Sequence, residues 1–143
     1  MNEKQNLHTH SLFCDGKNSL EEMVKEAITQ DFTSIGFSSH AYTAFPFDEC
    51  GIKSKEKEKL YLDTLSSLKE KYRGIIKIYR GIELESRDAF SLSPLPPSFL
   101  DYSIGSVHYF WKGDKSWPVD FTPEYFLKAK EAFGSFKSLI NSY

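Results

Sequence analysis

The chain has 143 residues, a formal net charge of −2 and 40% hydrophobic residues. That length fits one ordinary domain of roughly 100–150 residues, with a core large enough to need no disulfide framework, and its two cysteines, Cys14 and Cys50, read as a reduced, cytoplasmic setting. The charge gives no electrostatic case for nucleic acid, no apolar run reaches the ~18–20 residues of a membrane helix, and no apolar segment follows the polar N-terminus as a signal peptide requires.

In chain order, Leu7-His8-Thr9-His10 is a short strand candidate followed by a turn at Asp15-Gly16. Ser19-Leu20-Glu21-Glu22 has the form of a capping box. Leu20, Met23, Val24, Ala27 and Ile28 then recur at helical spacing, which predicts a helix over about 19–30. Ser34–Ser38 is a strand candidate ending at Ser39-His40, and residues 41–52 read as a loop. The charged run 53–59 reads as a solvated first helical turn rather than a contact patch. Tyr61, Leu65, Leu68 and Tyr72 form one core-facing stripe of a helix ending near Arg73-Gly74.

Residues 75–83, rich in branched side chains, predict a buried strand ending at Glu83. Residues 86–98 read as a loop, 101–108 as a strand, and 110–121 as a loop rich in Trp, Gly and Pro. A last helix starts with Thr122 as cap and Pro123 at its first position, and Phe126, Ala129, Phe133, Phe136 and Ile140 continue it. This alternation predicts an α/β architecture with parallel strands and no internal linker.

The four histidines, His8, His10, His40 and His108, carry the chemistry. On a strand, His8 and His10 project to one face. His10, His40, Glu83 and His108 each fall at a predicted strand end, where sites form in parallel sheets. Asp15 adds a carboxylate to the same rim. Mixed nitrogen and oxygen donors suit Zn²⁺, Mn²⁺ or Fe²⁺ rather than an all-oxygen Ca²⁺ or Mg²⁺ site. Glu85 is the weaker carboxylate, placed beyond the strand end. Cys14 reads as a half-buried thiol rather than a soft ligand. Arg80 and Arg87 read as ion-pairing residues rather than phosphate receivers. The aromatic run Tyr109-Phe110-Trp111 with Trp117 reads equally as a pocket wall or as core under a loop.

These motifs resemble the PHP (polymerase and histidinol phosphatase) superfamily. His8-Thr9-His10-Ser11 with Cys14-Asp15-Gly16 resembles its first motif, and Phe37-Ser38-Ser39-His40 its second, where an Asp-His pair is more usual. Gly81-Ile82-Glu83 resembles the third and Gly105-Ser106-Val107-His108 the fourth. The last two, with Trp117-Pro118-Val119-Asp120 and Phe133-Gly134, are most similar to the histidinol-phosphate phosphatase branch.

The resemblance implies a distorted (β/α) barrel, here a partial one with about the first four strands and their flanking helices, in one PHP domain over residues 1–143. It implies up to three divalent ions. His8 and His10 would bind the first, Glu83 would bridge it to the second, His108 would bind the second, and Asp15 and His40 the third. Glu83 and His108 are thereby the expected catalytic residues. The implied substrate is a small phosphomonoester, in the best match L-histidinol phosphate, hydrolysed to L-histidinol and phosphate in histidine biosynthesis. Other PHP-type phosphoesters, or a non-catalytic chain that binds metal weakly or needs a partner, are the alternatives.

Family members continue past this length with a further His, an Asp and a second His that complete the second, first and third sites, and with a substrate-binding arginine. The expectation is therefore a truncated form, weakly active or inactive alone, whose open barrel edge favours self-association.

Overall fold

Ser19 starts the first helix as its sequence predicts. Its hydroxyl accepts from the Glu22 amide while the Glu22 carboxylate accepts from the Ser19 amide, closing a capping box in the computed structural model. The structure describes residues 3–43, 50–86 and 99–142. It divides into two compact units, Met1–Gly105 and Ser106–Tyr143.

The first unit holds β1 (Gln5–Asn6), α1 (Leu20–Thr29), β2 (Ser34–Phe37), α2 (Lys55–Lys71), β3 (Lys77–Glu85) and β4 (Tyr102–Ser106), the last ending at the division. The four strands form one sheet in sequential order, β1-β2-β3-β4. The β1–β2 and β2–β3 pairs are parallel. α1 packs on β2 and α2 on β3. Leu20 and Val24 of α1, Ile35 and Phe37 of β2, Tyr61 and Leu65 of α2 and Ile78 of β3 make the core. The predicted stripe Tyr61, Leu65, Leu68 and Tyr72 is buried along its whole length.

Several expectations are corrected. β1 stops at Asn6, so His8 and His10 lie beyond it rather than on a strand. β3 runs to Glu85, so Glu83 is inside the strand and Glu85 is its buried last residue. Within the charged run, Glu58 is only 1% exposed, because its carboxylate turns inward to accept from the Tyr42 amide at 3.0 Å. Pro46 and Arg87, read as loop and ion-pairing residues, lie outside the described residues.

The second unit differs most from its prediction. The segment read as a loop is a hairpin, β5 (Tyr109–Lys112) paired antiparallel with β6 (Lys115–Pro118). Its two-residue connection, Gly113-Asp114, is a hairpin signal that the surrounding tryptophans and proline obscured. The last helix is two, α3 (Pro123–Phe133) and α4 (Phe136–Ile140). Gly134 adopts φ 83° and ends α3, and Ser135 caps α4. Leu139 rather than Ile140 therefore faces inward. Phe110, Ala129 and Leu139 form this unit's core with Trp117 and Phe133 against it, which settles Phe110 and Trp117 as core. No described helix is long and apolar enough to cross a membrane.

Candidate metal centre

After Asn6 the chain leaves the ladder, and side chains take over the work of holding it. Asn6 Oδ1 accepts from the His8 amide at 3.0 Å, and the Tyr102 hydroxyl donates to the Leu7 carbonyl at 2.6 Å. Thr9 Oγ1 donates to the Gly36 carbonyl at 2.8 Å, and the Ser38 amide donates to the Thr9 carbonyl at 2.9 Å. His8 and His10 thus flank a residue tied to β2 at both its side chain and its carbonyl. Their rings lie 5.3 Å apart between centroids, the adjacency that the strand argument expected.

The turn carrying Asp15 folds back on the same segment. Cys14 and Gly16 amides both donate to the Ser11 carbonyl. A side chain at Gly16 would run into the backbone of His10 and Ser11, so only glycine allows this return. His40 follows β2 and forms a parallel bridge with Glu83.

These elements converge on one carboxylate oxygen. Glu83 Oε2 lies 3.0 Å from His8 Nε2, 3.1 Å from His10 Nε2 and 3.5 Å from His40 Nδ1. The Glu83 side chain is 2% exposed, whereas that of His8 is 53% exposed. On the other side of the His10 ring, Nδ1 lies 3.2 Å from Asp15 Oδ1, and His40 Nε2 lies 3.7 Å from Asp15 Oδ2. The rings of His10 and His40 are 4.4 Å apart.

A buried carboxylate needs a compensating positive group. His10 supplies it: hydrogen bonds to Cys14 and then to Glu83 push its pKa up to about 10, against the opposing effect of burial. Cys14 Sγ lies 3.5 Å from His10 Nδ1. Burial would raise the Cys14 thiol, but hydrogen bonds from His10 and Ser39 and from the backbone outweigh it and bring it down. Cys14 is half-buried against the core, as its sequence reading has it.

Within the first unit, two triads have donor atoms mutually within 4.8 Å: His8, His10 and Glu83, and His10, Asp15 and His40. The donors are imidazole nitrogens and carboxylate oxygens, the set that suits Zn²⁺ and its first-row neighbours. This convergence, with a buried acid at its centre, fits a divalent metal. His108 belongs to the second unit, two residues past β4, where its carbonyl accepts from the Val119 amide. Arg80 pairs with Asp101 at 3.3 Å, the ion-pairing role read for it. Sequence reading missed the residues that tie down the segment carrying His8 and His10, Asn6, Thr9 and Tyr102. Thr9, enclosed by two candidate ligands, was the one with a visible signal.

The PHP domain family matches the chain over residues 6–142. Histidinol-phosphatase from Bacillus subtilis is 29% identical over 99% of this chain and 57% of its own length. A protein of Schizosaccharomyces pombe, named a probable histidinol-phosphatase, is 32% identical over 90% of this chain and 45% of its own. The chain spans about half the length of these curated relatives. Among solved structures, one from Listeria monocytogenes assigned as the histidinol phosphatase HisK superposes with a TM-score of 0.80 at 21% identity, over 98% of this chain and 58% of that one. The Lactococcus lactis histidinol phosphate phosphatase, complexed with Zn, L-histidinol and phosphate, gives 0.65 at 24% identity over 94% and 54%. These likenesses establish the fold as part of a PHP-type barrel, and the match over nearly the whole sequence establishes the family. The chain belongs to the PHP domain family.

Proposed function

We propose that this chain carries the metal-binding half-site of a phosphoester hydrolase of the histidinol-phosphatase type. The observation that carries the reading is the meeting of three imidazoles at the buried Glu83 carboxylate, with Asp15 facing two of them from the other side. In this reading His8, His10 and Glu83 hold one divalent ion, and Asp15 and His40 hold another beside it. His108 is given a ligand role on the family resemblance. Divalent ions held there would supply Lewis-acid charge that neutralises phosphoryl oxygens and activates water for attack.

The chain's own part is to prepare that place. Glu83, sealed from water, concentrates negative charge where an ion is wanted. The turn at Gly16 brings Asp15 back to His10. His8, half exposed, stands at the open side, where a small phosphomonoester can approach. L-Histidinol phosphate is the substrate proposed, because both curated relatives carry that activity in their names.

The test measures phosphate release from L-histidinol phosphate, a nucleoside monophosphate and phosphotyrosine, each with Zn²⁺ or Mn²⁺ and with chelator. Metal-dependent release, preferential for histidinol phosphate and absent in Glu83→Gln, is the expected result. Equal release by the variant would sink the assignment of this site. Because the chain spans about half of its relatives, metal uptake is measured separately. Zn²⁺ bound in a Glu83-dependent way without turnover would support the reading of a metal-binding chain that is not itself catalytic.

A further inference from the structure

Strands β2 and β3 keep one register from Ser34–Lys77 to Phe37–Arg80, and keep it again at the His40–Glu83 bridge. Between these stretches the ladder opens. Just beyond the opening, the Glu83 amide donates to the Ser39 carbonyl at 3.1 Å and the Ala41 amide donates to the Glu83 carbonyl at 2.8 Å. Donors in a parallel ladder recur at every second residue. The rung before Ala41→Glu83 should therefore run from the Ser39 amide to the Gly81 carbonyl.

That rung is replaced by a side chain. The hydroxyl of Tyr61, on α2, accepts from the Ser39 amide at 3.2 Å and donates to the Gly81 carbonyl at 2.9 Å. Tyr61 is fully buried, so no water competes for either bond. Burial also pushes its phenol far up, so it remains a donor at any working pH. One oxygen atom is inserted between two strands, one residue before His40 and two before Glu83. Two hydrogen bonds in series span more than one does, so the strands splay at this point and re-pair at the ligand pair.

We propose that Tyr61 is a positioning residue whose hydroxyl, wedged into the β2–β3 ladder, sets the spacing at which His40 and Glu83 are delivered to the metal centre. This rests on the metal-binding reading above. Removing the hydroxyl lets Ser39 and Gly81 close toward a direct rung or leaves both groups unpaired. Either change alters the backbone on which the two ligands stand, without touching a ligand.

The experiment titrates Zn²⁺ and Co²⁺ into the 143-residue chain and into Tyr61→Phe, Leu65→Ala and Glu83→Gln, in sucrose to keep the variants folded. Leu65 is buried on the same helix and has no polar side-chain atom that could join a rung, so Leu65→Ala controls for lost stability. Tyr61→Phe is expected to weaken binding by about tenfold or more, the scale of outer-shell substitutions, and to shift the visible absorption of bound Co²⁺. Leu65→Ala should lower Tm while leaving affinity and spectrum as they were, and Glu83→Gln should weaken uptake further than Tyr61→Phe does. An unchanged affinity and Co²⁺ spectrum in Tyr61→Phe, with uptake still dependent on Glu83, overturns the wedge and leaves the metal reading standing. Uptake that ignores Glu83→Gln overturns the metal reading, and the wedge with it.

Discussion

Glu83 and His8 meet across the widest contrast of exposure in the site: Oε2 of a side chain only 2% exposed lies 3.0 Å from Nε2 of an imidazole 53% exposed. The acid is fixed by β3 and the base stands at the rim. Glu83→Gln keeps the shape but removes the charge that gathers the imidazoles. Zn²⁺ affinity, measured by competition with a chromophoric chelator, should fall more than ~100-fold, beyond the range for outer-shell partners. A fall below tenfold would overturn the assignment of Glu83 to the metal.

The candidate cluster was legible because parallel sheets place function at strand ends, and that rule does not need accurate strand ends. β1 falls at Gln5–Asn6, ahead of the predicted segment, and β3 is shifted two residues toward the C-terminus, yet His8, His10, His40 and Glu83 still meet. What sequence could not show is the support. Tyr61 reads as one more core aromatic in an i, i+4 stripe, since periodicity reports which face is buried and says nothing of where a hydroxyl points. The second unit failed for local reasons. The signal of Gly113-Asp114 lay inside an aromatic stretch read as a loop, and Gly134 ended a helix whose apolar spacing carries on past it.

Glu58 shows the same limit and yields a pH prediction. Burial raises its pKa, with the Tyr42 amide only partly opposing. A raised carboxyl contributes stability below its unfolded pKa, near 4.3, and that contribution is lost as pH rises through the folded value. Relative to Glu58→Gln, the native chain should therefore gain stability as pH is lowered from 7 toward 4. Urea unfolding of both proteins across that range measures it. A difference that does not vary with pH would show that Glu58 is not desolvated when charged.

Asp101 should behave in the opposite way. Burial would raise its carboxyl, but the Arg80 amide, the Lys69 ammonium and the Arg80 guanidinium together hold it down to about 2. Its contribution is present above the ordinary carboxylate pKa, near 3.9, and is lost as pH falls through about 2. Asp101→Asn should cost ~1–2 kcal/mol at pH 7, since the contacts are charge-assisted but partly hydrated. The deficit should shrink between pH 4 and 2, as followed by acid titration of the circular dichroism signal. An equal deficit at both ends would assign the effect to packing rather than charge.

Gly36 and Tyr102 should be energetically coupled. The Tyr102 hydroxyl crosses from β4 to reach the Leu7 carbonyl, next to His8, and passes directly over Gly36. A Cβ at Gly36 would sit 2.6 Å from that hydroxyl and 3.0 Å from Leu7 Cδ2. Gly36→Ala should therefore cost about 1–3 kcal/mol, the usual scale of overpacking. In a Tyr102→Phe background its nearest obstacle is gone, although the ring carbon Cζ remains 3.1 Å away. Gly36→Ala should then cost less than in the native chain, with a coupling of at least ~0.5 kcal/mol. Strict additivity in the double-mutant cycle would mean that the added methyl group is accommodated by moving Leu7, the residue before His8. Zn²⁺ affinity would then fall in Gly36→Ala whether or not Tyr102 keeps its hydroxyl.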